Sequence, residues 1–166
     1  MNLLPLPRGI VKPLLKYSVL KQLRKEQGEV ESVQAANYKI LIVDDQTGVR
    51  RLLFETFTEE GFQVEMASSG VDALKKIAAQ TPDLILLDIK MPVMNGLATL
   101  REIRKTLPDL IVVMMTAYGE LDMLKDAKKL NVKHYLIKPF DLDEIRYLVK
   151  GLLQESDDKK VLQEIV

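Results

Sequence analysis

Five short apolar runs alternate with amphipathic stretches between residues 39 and 154, and they constrain the fold of this chain more than any other feature. Several are continuous in Ile, Leu, Val and Met, and they lie at 39–43, 62–67, 83–87, 110–115 and 133–137. Continuous apolar runs are typical of parallel strands that are covered on both faces. Apolar residues at helical spacing predict helices between and after them, at about 47–60, 70–80, 96–106, 120–130 and 141–153.

Five strand–helix units in succession predict an α/β fold. We expect a flavodoxin-like (βα)5 doubly wound sandwich, whose five-stranded parallel sheet has the order 2-1-3-4-5. This domain should span 39–154, between an N-terminal extension at 1–38 and a short charged tail at 155–166. In such a sheet, ligands bind at the carboxyl ends of the strands, where the strand order reverses.

The composition argues against several classes of site. The chain has no cysteine, so it has no disulfide framework, thiolate metal site or cysteine nucleophile. Its 24 basic and 24 acidic residues balance, which predicts no nucleic-acid partner for the chain as a whole. No apolar run approaches the ~20 residues that a membrane span needs. We therefore expect no membrane span and a cytoplasmic location.

Polar side chains follow four of the apolar runs at the predicted carboxyl ends, and they are Asp44 and Asp45, then Asp88, Thr116 and Lys138. Three carboxylates that converge in one pocket repel one another, and a divalent cation removes that conflict. Mg²⁺ prefers hard oxygen ligands such as carboxylates, waters and phosphate oxygens. We therefore expect Mg²⁺, or Mn²⁺, at the three aspartates.

The same set suits the transfer of a phosphoryl group onto a carboxylate. Asp88 can act as the nucleophile and form an acyl phosphate. The ammonium of Lys138, the hydroxyl of Thr116 and the N–H of Ala117 would stabilise charge on the phosphoryl oxygens. Each feature alone has an ordinary structural explanation, since an Asp pair after a strand is most often a helix cap or a turn. Only their combination and order along the chain indicate phosphoryl transfer.

These residues, together with the turn Met91-Pro92-x-x-x-Gly96, resemble those of response-regulator receiver domains over about 39–154. The resemblance implies a phosphoacceptor at Asp88, metal ligands at Asp44, Asp45 and the backbone carbonyl of Lys90, a switch pair at Thr116 and Tyr135, and the family's lysine at Lys138. Family members usually have a cis peptide bond before the proline at the position of Pro139.

Segments 43–50, 115–123 and 138–146 are most similar to single-domain receivers of sporulation phosphorelays, although Tyr135 stands where those have histidine. The similarity implies a monomeric receiver that takes a phosphoryl group from a sensor histidine kinase and passes it to a downstream histidine phosphotransferase. It also implies a partner-docking surface, formed by Gln46, Gly48, Val49, Leu52, Pro139 and Phe140. Val49 and Leu52 fit equally well on an apolar stripe that faces the core.

Two positions bear on the lifetime of the acyl phosphate. Lys90 lies two residues after Asp88, and Tyr118 lies two residues after Thr116. In the resembled family these positions influence the access of water. Bulky side chains there predict slow self-hydrolysis.

Three other functions compete with a relay receiver. A transcriptional response regulator would need a DNA-binding module, and the roughly 12 residues after the receiver are too few for a helix-turn-helix. A haloacid-dehalogenase-type phosphatase needs a carboxylate two residues after the nucleophile, where this chain has Lys90. A motility-type receiver that binds its target directly fits the motifs as well. Residues 1–38 are either a leader or a basic amphipathic segment for an acidic membrane surface or a partner groove.

Overall fold

The computed structural model describes residues 35–117, 123–132 and 134–164. Its strands are β1 (Lys39–Val43), β2 (Gln63–Ala67), β3 (Leu84–Asp88), β4 (Ile111–Ala117) and β5 (His134–Lys138). They form one parallel sheet in the order β2-β1-β3-β4-β5. The predicted fold and strand order are therefore confirmed.

Within the described residues, five α-helices follow the strands. They are α1 (Thr47–Glu59), α2 (Gly70–Ala79), α3 (Gly96–Thr106), α4 (Met123–Lys129) and α5 (Leu142–Glu164), and a 3-10 turn at Ala35–Asn37 precedes β1. None of the helices in the described part of the chain is both long and apolar enough to cross a membrane.

The apolar core lies on both faces of the sheet. On β1, Leu41 and Val43 point to the face that is covered by α2, α3 and α4, whereas Ile40 and Ile42 point to the face that is covered by α1 and α5. Successive side chains of a strand point to opposite faces, so a strand between two helical layers must be apolar at every position. This is the physical reason for the continuous apolar runs.

One residue of the predicted apolar stripe on α1 does not face the core. Leu53 and Phe57 are fully buried, and the ring of Phe57 meets that of Phe62 edge-to-face at 5.9 Å. Val49 packs partly buried against the same cluster. Leu52 is 44% exposed, so of the two places that the sequence allowed it, the core-facing stripe is wrong. The buried position one turn further along is taken by Thr56, whose hydroxyl donates to the carbonyl of Leu52 at 2.7 Å.

The last helix is longer than the sequence predicts. We expected it at 141–153 with a charged tail after it, but α5 continues to Glu164. The sequence beyond Gly151 contains neither glycine nor proline, so nothing in the backbone interrupts the helix there. The hydroxyl of Tyr38, just before β1, donates to the carboxylate of Asp157 and ties this continuation to the domain. Of the predicted extension, residues 1–34 lie outside the described residues.

Candidate functional site

The predicted reactive residues meet at the carboxyl edge of the sheet. Asp88 is the last residue of β3 and Lys138 the last of β5, so each belongs to its strand instead of following it. Thr116 is likewise inside β4. The register pairs Asp88 with Met115 and Ala117 with Lys138, which places these strand ends side by side.

The ammonium of Lys138 bridges two aspartates. Its Nζ lies 2.6 Å from Oδ2 of Asp44 and 2.7 Å from Oδ1 of Asp88. The side chain of Asp44 is fully buried and that of Asp88 is 5% exposed. The other oxygen of Asp44 accepts a hydrogen bond from the backbone N–H of Gln46 at 2.8 Å. Both oxygens of Asp44 are therefore held, as a buried charge requires.

Two opposing effects act on the pKa of Lys138. Burial lowers it, because the charged form loses hydration. Hydrogen bonds to Asp44 and Asp88, and the attraction of their negative charges, outweigh burial and hold the pKa of Lys138 above its ordinary value. Lys138 therefore stays charged at neutral pH.

The three aspartates form a compact group of oxygen donors. Asp44, Asp45 and Asp88 each place a carboxylate oxygen within 4.8 Å of the others. Asp45 is exposed, whereas the other two are buried. Three carboxylates and the ammonium of Lys138 leave two formal negative charges. This charge and this donor set fit a hard divalent cation.

The residues predicted to form the switch pair and to bind the phosphoryl group lie on β4 and β5. Thr116 is fully buried, and its hydroxyl donates to the carbonyl of Ala117 at 3.1 Å. Ala117 is exposed at the end of β4. Tyr135 is partly buried and packs against the core cluster on the side of α2, α3 and α4. Tyr118, which was expected to affect the lifetime, lies outside the described residues.

The loop after β3 is closed by backbone contacts. The N–H of Ile89 donates to the carbonyl of Met115 at 3.0 Å, and the N–H of Gly96 donates to the carbonyl of Ile89 at 2.8 Å. Lys90, between these contacts, is exposed. Val93, at the tip, is fully exposed and has a φ of 66°. The Met91-Pro92-x-x-x-Gly96 motif therefore forms a closed loop that ends at the first residue of α3.

The residues expected to dock a partner differ in exposure. Gln46, Gly48 and Pro139 are exposed, as is Leu52 at 44%. Val49 and Phe140 are instead partly buried against the core cluster beneath α1 and α5. The peptide bond between Lys138 and Pro139 is cis, as the family resemblance implied.

Sequence reasoning missed one residue of this site, Arg50. Its guanidinium donates to the backbone carbonyl of Asp44 at 2.7 Å and to the hydroxyl of Thr47 at 3.1 Å. The only sequence signal is a basic residue in the first turn of a helix, where the helix dipole disfavours positive charge.

Known proteins match the same region of the chain. The relatives include sporulation initiation phosphotransferase F of Bacillus subtilis (strain 168), 48% identical over 117 residues that cover 70% of this chain and 94% of that protein. They also include regulatory protein AtoC of Escherichia coli (strain K12), 40% identical over 127 residues, 76% of this chain but only 28% of AtoC.

The crystal structure of the receiver domain of NtrX from Brucella abortus superposes with a TM-score of 0.66 at 32% identity, covering 69% of this chain and 98% of that one. The family model described as the response regulator receiver domain matches residues 40–150, which is well over half of the chain. This protein therefore belongs to the family of two-component response-regulator receiver domains.

Proposed function

We propose that this protein is a cytoplasmic, monomeric phosphorelay receiver that acts in the initiation of sporulation. Asp88 accepts a phosphoryl group from a sensor histidine kinase, and a histidine on a downstream phosphotransferase then takes it over. The observation that carries this proposal is the ammonium of Lys138, held at 2.6 and 2.7 Å between the buried carboxylates of Asp44 and Asp88. The 94% coverage of the Bacillus subtilis phosphotransferase supports the relay role.

The transfer needs few groups from the protein. An oxygen of Asp88 forms a bond to phosphorus while the bond between phosphorus and the donor histidine nitrogen breaks, and the leaving imidazole takes up a proton. Lys138 already contacts Asp88 and can follow the negative charge onto the phosphoryl oxygens. The Thr116 hydroxyl and the Ala117 N–H are the further donors of this edge.

The metal in this proposal is Mg²⁺, or Mn²⁺ in its place. Asp44, Asp45, Asp88 and the backbone carbonyl of Lys90 would hold it, since the three carboxylates already lie together. When bound, the ion neutralises charge on the carboxylates and on the incoming phosphoryl group.

The signal in this proposal passes from the site to the surface through two residues. The Thr116 hydroxyl moves toward the new phosphoryl group, and Tyr135 fills the space that it leaves. Partners would dock on the surface around the site, at Gln46, Gly48, Val49, Leu52, Pro139 and Phe140. Of the apolar residues in this set, Leu52 and Pro139 have the exposure that direct docking requires.

A receiver that serves a transcriptional regulator is the second candidate. The observation in its favour is the 35% identity to the DNA-binding transcriptional regulator NtrC of Escherichia coli (strain K12), of which this chain spans about a quarter. An electrophoretic shift with DNA at physiological salt would favour this candidate, and the absence of a shift would favour the relay. A motility-type switch would differ from both in binding a target protein stably after phosphorylation, which a pull-down would detect.

Mass spectrometry of the intact protein tests the chemistry. The full chain is incubated with acetyl phosphate and Mg²⁺, and the mass of the wild type is compared with that of Asp88→Asn and of wild type in EDTA. We expect one phosphoryl adduct that requires both Asp88 and Mg²⁺ and that lasts for many minutes. Absence of the adduct would refute phosphoryl transfer, and loss within seconds would refute the slow hydrolysis expected of a relay intermediate.

Complementation tests the pathway separately. The gene is expressed in a Bacillus subtilis strain that lacks its own sporulation initiation phosphotransferase F, and heat-resistant spores are counted. We expect spores with the wild-type chain and none with Asp88→Asn. A chain that forms the adduct but restores no spores would remain a receiver and would lose the sporulation assignment.

A further inference from the structure

Arg50 closes the turn that carries the acidic pair. Its guanidinium reaches back from α1 and donates to the carbonyl of Asp44 at 2.7 Å and to the hydroxyl of Thr47 at 3.1 Å. The backbone N–H of Arg50 donates to the carbonyl of Gln46 at 3.1 Å. One residue therefore joins the end of β1, the turn and the first turn of α1.

The contact with the Asp44 carbonyl holds the peptide unit that leads into Asp45. The peptide unit between Asp44 and Asp45 is planar, so holding its carbonyl oxygen also fixes the N and Cα of Asp45. The side chain of Asp44 has its own partners in Lys138 and the Gln46 N–H. Among the described residues, the structure gives the Asp45 carboxylate no hydrogen bond or ion pair. Its direction therefore depends on the backbone that Arg50 holds.

The position of Arg50 is electrostatically unfavourable for α1 itself. It is the fourth residue of the helix, near the positive end of the helix dipole, and the first turn contains no acidic residue. The N-cap residue, Gln46, makes no side-chain capping bond. At this end of the helix, the guanidinium is held by the carbonyl of Asp44 and the hydroxyl of Thr47.

We propose that Arg50 is a positioning residue, which orients the Asp45 carboxylate and thereby raises the affinity of the aspartate group for Mg²⁺. The inference rests on the proposed function, because it takes Asp44, Asp45 and Asp88 to be the metal ligands. It assigns to Arg50 no contact with the metal or with the phosphoryl group.

Charge and positioning predict opposite effects, so they can be separated. If Arg50 acted only through its charge, its removal would raise the affinity for a divalent cation, because a nearby positive charge would be gone. If it holds the peptide, its removal lowers the affinity. Groups that orient a metal ligand from outside the coordination sphere typically contribute 10- to 100-fold to metal affinity.

The test is a titration of the full-length ¹⁵N-labelled protein with MgCl₂, followed by NMR amide shifts, without phosphodonor. Two variants are compared with the wild type. Arg50→Gln removes both the charge and the planar guanidinium with its pair of donors. Arg50→Lys keeps the charge but cannot reproduce that planar pair of donors. We expect both to lower the Mg²⁺ affinity about tenfold.

Arg51→Gln is the matched control. It removes the same charge from the next residue, whose side chain is 72% exposed and lies 3.8 Å from Glu55 in an ordinary surface pair. We expect its Mg²⁺ affinity to stay within about twofold of the wild type. The unfolding midpoint of each variant in EDTA shows whether the fold is intact.

The outcomes separate this inference from the function on which it rests. If folded Arg50→Gln or Arg50→Lys bound Mg²⁺ as tightly as the wild type, or more tightly, positioning by Arg50 would be refuted and the receiver function would stand. If the wild-type chain itself did not bind Mg²⁺, both would fail. A tenfold loss in both variants with no loss in Arg51→Gln would establish the role.

Discussion

A Cβ atom on Gly96 would lie 2.1 Å from the carbonyl oxygen of Asp88. The first residue of α3 and the backbone of Asp88 thus lie too close together for any side chain between them. The N–H of Gly96 donates to the carbonyl of Ile89 at 2.8 Å, which holds this close approach in place. The obstacle is backbone and not a flexible side chain, so it cannot move aside cheaply.

Gly96→Ala should therefore destabilise the protein by about 2 kcal/mol or more, since forcing extra atoms into a packed site typically costs 1–3 kcal/mol. The measurement is the free energy of unfolding in urea. Gly48→Ala is the control, because a Cβ there meets nothing within 4 Å and alanine favours a helix by about 0.5–1 kcal/mol over glycine. Equal stabilities for the two variants would contradict the close contact at Gly96.

Val93 should be replaceable with a gain in stability. It is fully exposed, so its side chain contributes no burial, and its φ of 66° is unfavourable for a β-branched residue. Asparagine tolerates this left-handed conformation, and Val93→Asn should stabilise by about 0.5–1 kcal/mol. Val93→Ala keeps a Cβ without the tolerance of asparagine and should gain less. The measurement is the urea midpoint of each variant. If Val93→Asn were no more stable than the wild type, backbone strain at Val93 would be contradicted.

Lys138→Gln should destabilise the protein by about 3 kcal/mol at neutral pH without metal, because it leaves the buried carboxylates of Asp44 and Asp88 without their cation. The pKa of Lys138 is raised in the folded state, so folding favours its protonated form. Its contribution is thus fully present below the ordinary lysine pKa of about 10.4 and is lost as the pH rises through the higher folded value.

The difference in unfolding free energy between wild type and Lys138→Gln, measured in EDTA from pH 8 upward, should stay constant to about pH 10 and then shrink. Lys129→Gln serves as the control, because that lysine is exposed and pairs with Asp126 on the surface. The difference in unfolding free energy between wild type and Lys129→Gln should be small at every pH. A Lys138→Gln difference that grew with pH would contradict the raised pKa.

Asn95→Ala should cost about 1 kcal/mol, because Asn95 caps α3 by accepting a hydrogen bond from the N–H of Ala98 at 2.8 Å. Asn95→Asp should retain most of the stability, since aspartate is an equally good cap. Gln46→Ala, at the start of α1, removes no side-chain cap and should change stability by less than about 0.5 kcal/mol. Thermal unfolding of the three variants in EDTA checks the order, and an equal loss for Asn95→Ala and Gln46→Ala would be inconsistent with capping.

The sequence determined the fold and the edge of the sheet at which the candidate reactive residues meet. Continuous apolar runs require a sheet that is covered on both faces, and parallel strands separated by helices bring their carboxyl ends to one edge. Asp44, Asp88 and Lys138 could therefore be placed together without coordinates. Their shared position follows from the apolar run that directly precedes each of them, and such runs can be recognised in the sequence alone.

Tertiary structure decided the contacts within that frame. The ion pair between Lys138 and Asp44 joins residues 94 positions apart, and the choice of partners depends on side-chain directions that no local pattern contains. The same holds for Leu52, which the sequence allowed either in the core or on the docking surface and which the rotation of α1 about its axis leaves exposed. Arg50 looked like an ordinary basic residue at a helix start, and only the fold of the turn brings it against the Asp44 carbonyl. Spacing along a chain fixes which edge of the sheet a residue reaches, whereas packing against distant segments fixes what it touches there.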